Sequence, residues 1–427
     1  MDSTLTYSLA DVLAVAKVHP FYSNSQYPPS DEAIREIRRH ASLQPIVTDL
    51  RKQPLLFKED LYIVTERLIH DTSPQNTYRN SAYTSVTGGG GNSKPLFFAT
   101  DALENRRQRA RFGQFLRNLG LIQPGDWVLT THVGGDLYRS LDLMLEVTEN
   151  AGATSLAAGH LMPTARVVQL LQDFHINVLT GDGSQIIQVV HCISSLRTGR
   201  DRISLEKIIY TSEALSPVQK SYIRDVLGAV KICSILGSAE AGPYGASSPD
   251  LNQDDPATSY TDFIFDSRTT LIEVFPLSFP DAGGSIQPLP AQAHALIPKS
   301  ERVYMRLLRL HGRDACSSFT WDGEYIELDK LAAMLARADL GIVQWQVVLD
   351  RMMPSNETSL EIRLLCVRVE EGNYAAEKTI AAHIRNFFYL HPVNEHRFKL
   401  TFVEDRAGFE LSRTGRKIAK LIDRSGI

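Results

Sequence analysis

Residues 176–196, INVLTGDGSQIIQVVHCISSL, change hydrophobic rhythm part-way through. INVLTG reads as a buried strand, and IIQVVHCISSL spaces its apolar residues three and four apart, as one face of a helix does. The same alternation runs outward in both directions. Before it, QPGDWVLTTH reads as a turn leading into a strand, because Pro-Gly-Asp is strong turn chemistry. SLDLMLEVTENAG then reads as helix, ATSLAAG as strand and ARVVQLLQDF as helix. After it, LEKIIYTSE reads as strand, PVQKSYIRDVLG as helix and VKICSILG as strand. Strands separated by helices of about ten residues specify βαβ units, hence an α/β fold whose parallel sheet carries helices on both faces.

Further out the texture changes. Residues 8–17 and 31–40 have helical spacing, and Arg106–Asn118 reads as a basic amphipathic helix. Residues 248–300 break the rhythm with prolines, glycines and acids, LIEVF being the expected strand among them. RLHGRDACSS then leads into 342–350, 359–368 and 397–403, which alternate like half-exposed strands, with an amphipathic helix over 374–388. The expected organisation is a large N-terminal domain over 1–312, with parallel or mixed sheets and flanking helices, and a small C-terminal α+β domain over 313–427.

Composition narrows the function. A chain of 427 residues exceeds one ordinary core. Its formal charge of −4 provides no basic excess for nucleic acid or anionic lipid. The four cysteines have no CxxC spacing and suit a reducing compartment. The start lacks a basic segment followed by a long apolar run, and no stretch approaches the roughly 20 apolar residues of a membrane span, so a cytoplasmic protein is expected.

The chemically loaded stretch is YTSVTGGGGNSKP, residues 83–95. Four glycines free the backbone to bring N–H groups close to an anion, Thr84, Ser85 and Thr87 add hydroxyls, and Lys94 adds a cation. The plain alternative is a flexible surface loop. The Walker pattern is absent, since proline follows Lys94, and no GxGxxG opens a helix after a strand.

TSVTGGGGNSKP resembles a lengthened form of TSGTTGKP, the phosphate loop of adenylate-forming enzymes. Other stretches resemble the phenylacetate–CoA ligase-like branch of that superfamily, in the family's order: HPFY at 19–22, QPLLFKEDL at 53–61, PGDWV at 124–128, YTSEALSP at 210–217, SILGSAEAG at 234–242, GRDACSSFTWDGEYI at 312–326 and SRTGRKIAKLID at 412–423.

The resemblance implies activation of a carboxylic acid by ATP and Mg2+ as an acyl-adenylate, followed by transfer to coenzyme A. An amine or a carrier protein is the alternative acceptor. The substrate would be a small aryl or short-chain acid, with no nucleic acid or membrane partner, and a homodimer is allowed. Thr84, Ser85, Thr87, Gly88, Gly89 and Lys94 are the implied phosphate residues. Ser212 and Glu213 fall on the adenine segment, with Gly237 and Ser238 on the following motif. Glu240 matches the Mg2+ acid, Arg313 the arginine before the hinge, and Lys417 the lysine of the adenylation step. His132, Tyr138, Gly159 and His160 are pocket candidates, because ligands of α/β sheets bind at the carboxyl ends of strands.

Each has a plain alternative: a surface glutamate, a capped strand-to-helix turn, a solvated Arg-Asp pair, a core histidine, or a basic C-terminal helix around Lys417 and Lys420. The sequence also departs from the family. Val86 replaces a glycine, Leu236 an aromatic residue, and the RYRTGD aspartate has no counterpart unless Asp262 or Asp266 substitutes. A catalytically silent binding protein of the same fold is therefore a further reading.

Overall fold

The computed structural model describes residues 7–41, 50, 53, 56–86, 97–135, 137–212, 215–251, 260–273, 298–310, 318–322, 324–353, 357–366, 374–412 and 417–425. The chain forms two compact units, Met1–Gln108 with Gly135–Arg139, and Arg109–Gly134 with Ser140–Ile427.

The first unit carries helices Leu9–Ala16, Asp31–Ala41 and Lys58–His70. Ser8 and Asp11 start the first of these with a reciprocal capping box, which satisfies two orphan donors. In the HPFY segment His19 packs edge-on against Phe21, ring centroids 4.5 Å apart, and Phe21 packs against Tyr78 at 5.7 Å. Strands Ala82–Val86 and Phe97–Asp101 pair antiparallel, with Val86 opposite Phe97. Thr84 and Ser85 lie on the first of these strands. Thr87, Gly88, Gly89 and Lys94 fall between the strands, outside the described residues.

The second unit is built on an eight-stranded sheet. Its strands are β1 Trp127–Thr130, β2 Thr154–Ala157, β3 Val178–Asp182, β4 Lys207–Thr211, β5 Lys231–Ser238, β6 Gly242–Ala246, β7 Thr261–Asp266 and β8 Met305–Leu310. Across the sheet the order is β8-β7-β6-β5-β4-β3-β1-β2. β1 to β5 are mutually parallel, and β5 to β8 pair antiparallel. The helices are α1 Ala102–Asn118, whose first seven residues belong to the first unit, α2 Ser140–Asn150, α3 Thr164–Asp173, α4 Gly183–Ser194 and α5 Pro217–Leu227.

Adjacent residues of the central strands enter different cores. Leu179, Ile208 and Ile232 belong to a cluster with α3, α4 and α5. Val178, Ile209 and Cys233 belong to another with α1 and α2. Both faces are covered, as a parallel sheet requires, and this is why the strands read as continuous apolar runs. Burial of this kind contributes about 25 cal/mol per Å² of apolar surface.

Beyond residue 317 a four-stranded sheet runs in the order Phe398–Phe402, Glu357–Cys366, Ile342–Met352, Leu421–Arg424. Ile380 and Ile384 of helix Tyr374–Phe387 pack on it. Two expectations change. LIEVF is not a strand where it is described, since Leu271–Glu273 carry no regular structure. The basic C-terminal helix is replaced by an antiparallel bridge, Leu411 to Ile418, and by strand Leu421–Arg424, which pairs parallel with Val347–Asp350. A long-range strand partner overrides the local helical pattern there. The expected junction at 313 falls in 311–317, outside the described residues.

Candidate functional site

β1 has β2 on one side and β3 on the other. The chain leaves β1 in one direction for β2 and returns across it to β3, which makes the carboxyl end of β1 a topological switch point. Open α/β sheets hold ligands in the crevice such a reversal creates. His132 follows β1, Gly159 and His160 follow β2, Asp182 ends β3, Ser212 follows β4, and Gly237 and Ser238 end β5.

Three of these ends are tied together. His132 is fully buried. Its Nδ1 lies 2.9 Å from the Thr130 hydroxyl and its Nε2 lies 3.0 Å from the Thr211 hydroxyl. Thr211 donates to Asp182 Oδ1 at 3.2 Å, and its oxygen lies 3.3 Å from the Ser212 hydroxyl. Burial lowers the pKa of His132, the nearby Asp182 charge opposing the shift. Burial therefore favours the neutral ring, and both of its nitrogens are engaged within the protein. His132 serves as an internal strut, its nitrogens turned to Thr130 and Thr211 rather than to a ligand.

Asp182 is buried and starts α4 through a capping box with Gln185, whose side chain accepts from the Asp182 amide at 3.2 Å. Thr131 buttresses the same corner, its hydroxyl donating to the Thr180 carbonyl at 3.1 Å. A Cβ on Gly181 would lie 2.3 Å from that hydroxyl, so glycine is required for the close approach. The sequence reading overlooked Asp182 and Thr130. Asp-x-x-Gln ahead of an apolar helix is a capping signal and marks Asp182. Thr130 carries no comparable signal.

Ser212 has φ 68, in the left-handed region that serine occupies at a cost. Glu213 lies outside the described residues. The amides of Ala158 and Gly159 both donate to the Thr130 carbonyl at 3.0 Å, folding the end of β2 over β1. Gly159 has φ 70, and His160 beside it is half-buried. Tyr138 lies in the first unit, next to Arg139, whose guanidinium stacks on Tyr83 at 4.0 Å.

β5 and β6 form a hairpin whose turn holds Glu240, half-buried. The Ser238 hydroxyl accepts from the Ala241 amide at 3.1 Å and closes the turn. Among the described residues no group of three His, Cys, Asp or Glu converges on a metal position. A single carboxylate fits a cation that arrives with phosphate ligands, since Mg2+ is usually held by one or two carboxylates plus substrate oxygens.

Lys417 sits next to Ile418, which forms an antiparallel bridge with Leu411. Its carbonyl accepts from the Ser412 amide at 2.6 Å, and its own amide reaches the Ser412 hydroxyl at 3.4 Å. Its ammonium has no hydrogen bond or ion pair to another described residue. Neighbouring Ile418 is buried in the α4–α5 cluster, together with Val343, Leu365 and Phe409. Lys420 is committed elsewhere: it donates to the Gln344 side chain and lies 4.4 Å over the Trp345 ring. Arg313 lies outside the described residues.

Neither acid considered as a substitute for the missing aspartate is idle. Asp262 takes a two-pronged contact from Arg309 at 2.8 and 2.9 Å. Asp266 takes one from Arg268 Nε and Nη2, with a shortest distance of 2.6 Å. Burial pushes the Cys233 and Cys366 thiols up to about 12, so neither supplies a thiolate at neutral pH.

No protein-family model matches the chain. Solved structures do: 2-hydroxyisobutyryl-CoA ligase in its postadenylation state aligns over 97% of this chain and 88% of its own, with TM-score 0.61 and 19% identity in complex with 2-HIB-AMP. With R3-HIB-AMP the TM-score is 0.60 at the same identity and coverage. The chain has the fold of the adenylate-forming ligases. In sequence it is similar to indoleacetate–lysine synthetase of Pseudomonas savastanoi, 27% identical over 197 residues. That match spans 45% of this chain and about half, 47%, of the relative. No helix among the described residues is long and apolar enough to cross a membrane.

Proposed function

We propose that this adenylate-forming ligase activates a small carboxylic acid with ATP and Mg2+ and then transfers the acyl group to coenzyme A. The observation that supports this reading is the switch-point crevice: Ser212 follows β4, Gly237 and Ser238 end β5, and Glu240 sits in the turn after β5, all at the carboxyl edge of the parallel strands. The fold of 2-hydroxyisobutyryl-CoA ligase supports the same reading.

In this mechanism Ser212 and Glu213 line the adenine, while Gly237 and Ser238 lie alongside the nucleotide. Thr84, Ser85, Thr87, Gly88, Gly89 and Lys94 hold the β- and γ-phosphates by N–H, hydroxyl and ammonium contacts. Glu240 offers an oxygen ligand to Mg2+, which when bound screens the phosphate charge. Two anions must meet, the substrate carboxylate and the α-phosphate. Lys417, whose ammonium is uncommitted among the described residues, offsets their repulsion, and Arg313 assists from the junction. A small domain beginning near 313 carries Lys417 and turns between the two half-reactions. Tyr138, Gly159 and His160 border the acid.

The sequence likeness to a synthetase named for indoleacetate and lysine favours a second reading, in which an amine accepts the acyl group and an amide forms. The test is pyrophosphate release from ATP with a panel of aryl and short aliphatic acids, followed by product analysis with coenzyme A, with lysine and with other amines. A thioester supports the first reading and an amide the second. No acid-dependent pyrophosphate release from any acid overturns both and leaves a binding protein.

A further inference from the structure

Thr211 has one proton and two acceptor lone pairs. The Asp182 carboxylate can only accept, so the Thr211 proton points to Oδ1. The lone pairs of Thr211 are then filled by donors, His132 Nε2–H at 3.0 Å and the Ser212 hydroxyl at 3.3 Å. His132 must therefore be the Nε2–H tautomer, with Nδ1 accepting from the Thr130 hydroxyl at 2.9 Å. Every hydrogen of the chain Thr130, His132, Thr211, Asp182 is assigned by the one charge at its end. The reverse arrangement would set a carboxylate oxygen against a hydroxyl lone pair.

The chain ends beside a strained residue. A serine in the left-handed region is strained, and such a conformation persists where the surroundings over-determine it. We propose that Thr211 is a positioning residue for the nucleotide: its hydroxyl, oriented by Asp182, holds His132 and Ser212 together and presets the turn against which the adenine lies. The functional half of this inference rests on the adenylation reading above.

The hydrogen assignment is tested on the intact protein without any ligand. Ring-nitrogen NMR of histidine-labelled protein, with His132 identified by its loss in His132→Gln, should show the Nε2–H tautomer at pH 7. Asp182→Asn keeps a good helix cap but can turn an amide N–H toward Thr211. The chain then reverses, Thr211 donating to Nε2 and His132 donating from Nδ1 to Thr130. An Nδ1–H tautomer in the parent, or an unchanged tautomer in Asp182→Asn, overturns the assignment.

The positioning role is tested by Thr211→Val, which keeps the shape and removes the hydroxyl. It should raise the KM for ATP about tenfold, the loss expected for a hydrogen bond to a charged partner, with kcat within about threefold. Thr211→Ser restores the hydroxyl and should return KM to within about twofold of the parent. A Val variant with parental KM, a fall in kcat alone, or a Ser variant as impaired as Val overturns the role. A parent that neither binds nor cleaves ATP fails the adenylation reading, and the positioning role with it, while the tautomer measurement still decides the hydrogen-bond chain.

Discussion

The side-chain amide of Gln219 donates to the main-chain carbonyl of Val343, 124 positions further along the chain. The same side chain accepts from the Ser216 amide at 2.8 Å and completes the cap of α5. One glutamine thus links the parallel sheet's last helix to the C-terminal sheet, beside buried Val343, Phe409 and Ile418.

Gln219→Glu separates the two tasks. Glutamate at this position still caps the helix, while the donation to Val343 is lost. The expected cost is about 1 kcal/mol, seen as faster amide exchange around residues 342–345 with α5 unchanged. Equal exchange in parent and variant would show that the contact contributes nothing.

Lys417→Ala should slow acid-dependent pyrophosphate release by about 100- to 1000-fold, the typical value of one preorganised donor to developing charge. Consumption of presynthesised acyl-adenylate should stay near the parental rate. Lys420→Ala should leave both half-reactions intact, because its ammonium is held by Gln344 and Trp345. Its effect should be a stability loss of about 0.5–1 kcal/mol, measured by urea unfolding. Equal loss in both half-reactions for Lys417→Ala would mean that the lysine is structural.

Gly237→Ala should distort the hairpin that carries Glu240. A Cβ there would lie 2.8 Å from the Gly242 carbonyl and 2.9 Å from Pro243 Cα, and backbone cannot step aside as a side chain can. Overpacking of this kind costs about 1–3 kcal/mol. Thermal unfolding together with ATP titration should show both quantities impaired. An alanine variant with parental melting and affinity would mean that the hairpin yields freely.

His19 gives the first unit a pH dependence. Burial pushes its pKa down to about 4, and its Nδ1 accepts from the Phe21 amide at 3.2 Å, a bond that protonation abolishes. The unfolded chain binds this proton near pH 6.5 and the folded chain does not, so stability is complete above 6.5 and falls as pH drops toward 4. Allowing for partial exposure, the loss is about 1–2 kcal/mol by the bottom of that window. His19→Asn keeps an acceptor without the titration. Its urea midpoint should fall less than the parent's between pH 7 and pH 4.5, and parallel curves would refute the assignment.

The alternation from Trp127 to Ser238 was legible because each strand is buried on both faces and each helix on one, so local pattern and tertiary role agree. The end of the chain was not. KIAKLID has helical spacing, but Leu421–Arg424 pairs with Val347–Asp350, and Gln346 donates to the Ala419 carbonyl at 2.8 Å. Those partners lie more than seventy residues away, beyond the reach of any local window. The place of His132 at the carboxyl end of a strand was legible, yet its hydrogen-bonded role there was not. A histidine after a strand reads as a pocket residue until Thr130 and Thr211 are seen to occupy both of its nitrogens.

His132 and Thr211 are 79 residues apart, and the contact between them exists only when β1, β3 and β4 are already in register. Closing a loop of that size costs entropy that one hydrogen bond does not offset, so the contact depends on the strand pairings around it. In the unfolded chain the imidazole meets water and titrates near pH 6.5 like any free histidine. The His132 ring is thereby a built-in gauge of folding: burial lowers its pKa in the native state, and an unfolded chain loses that shift.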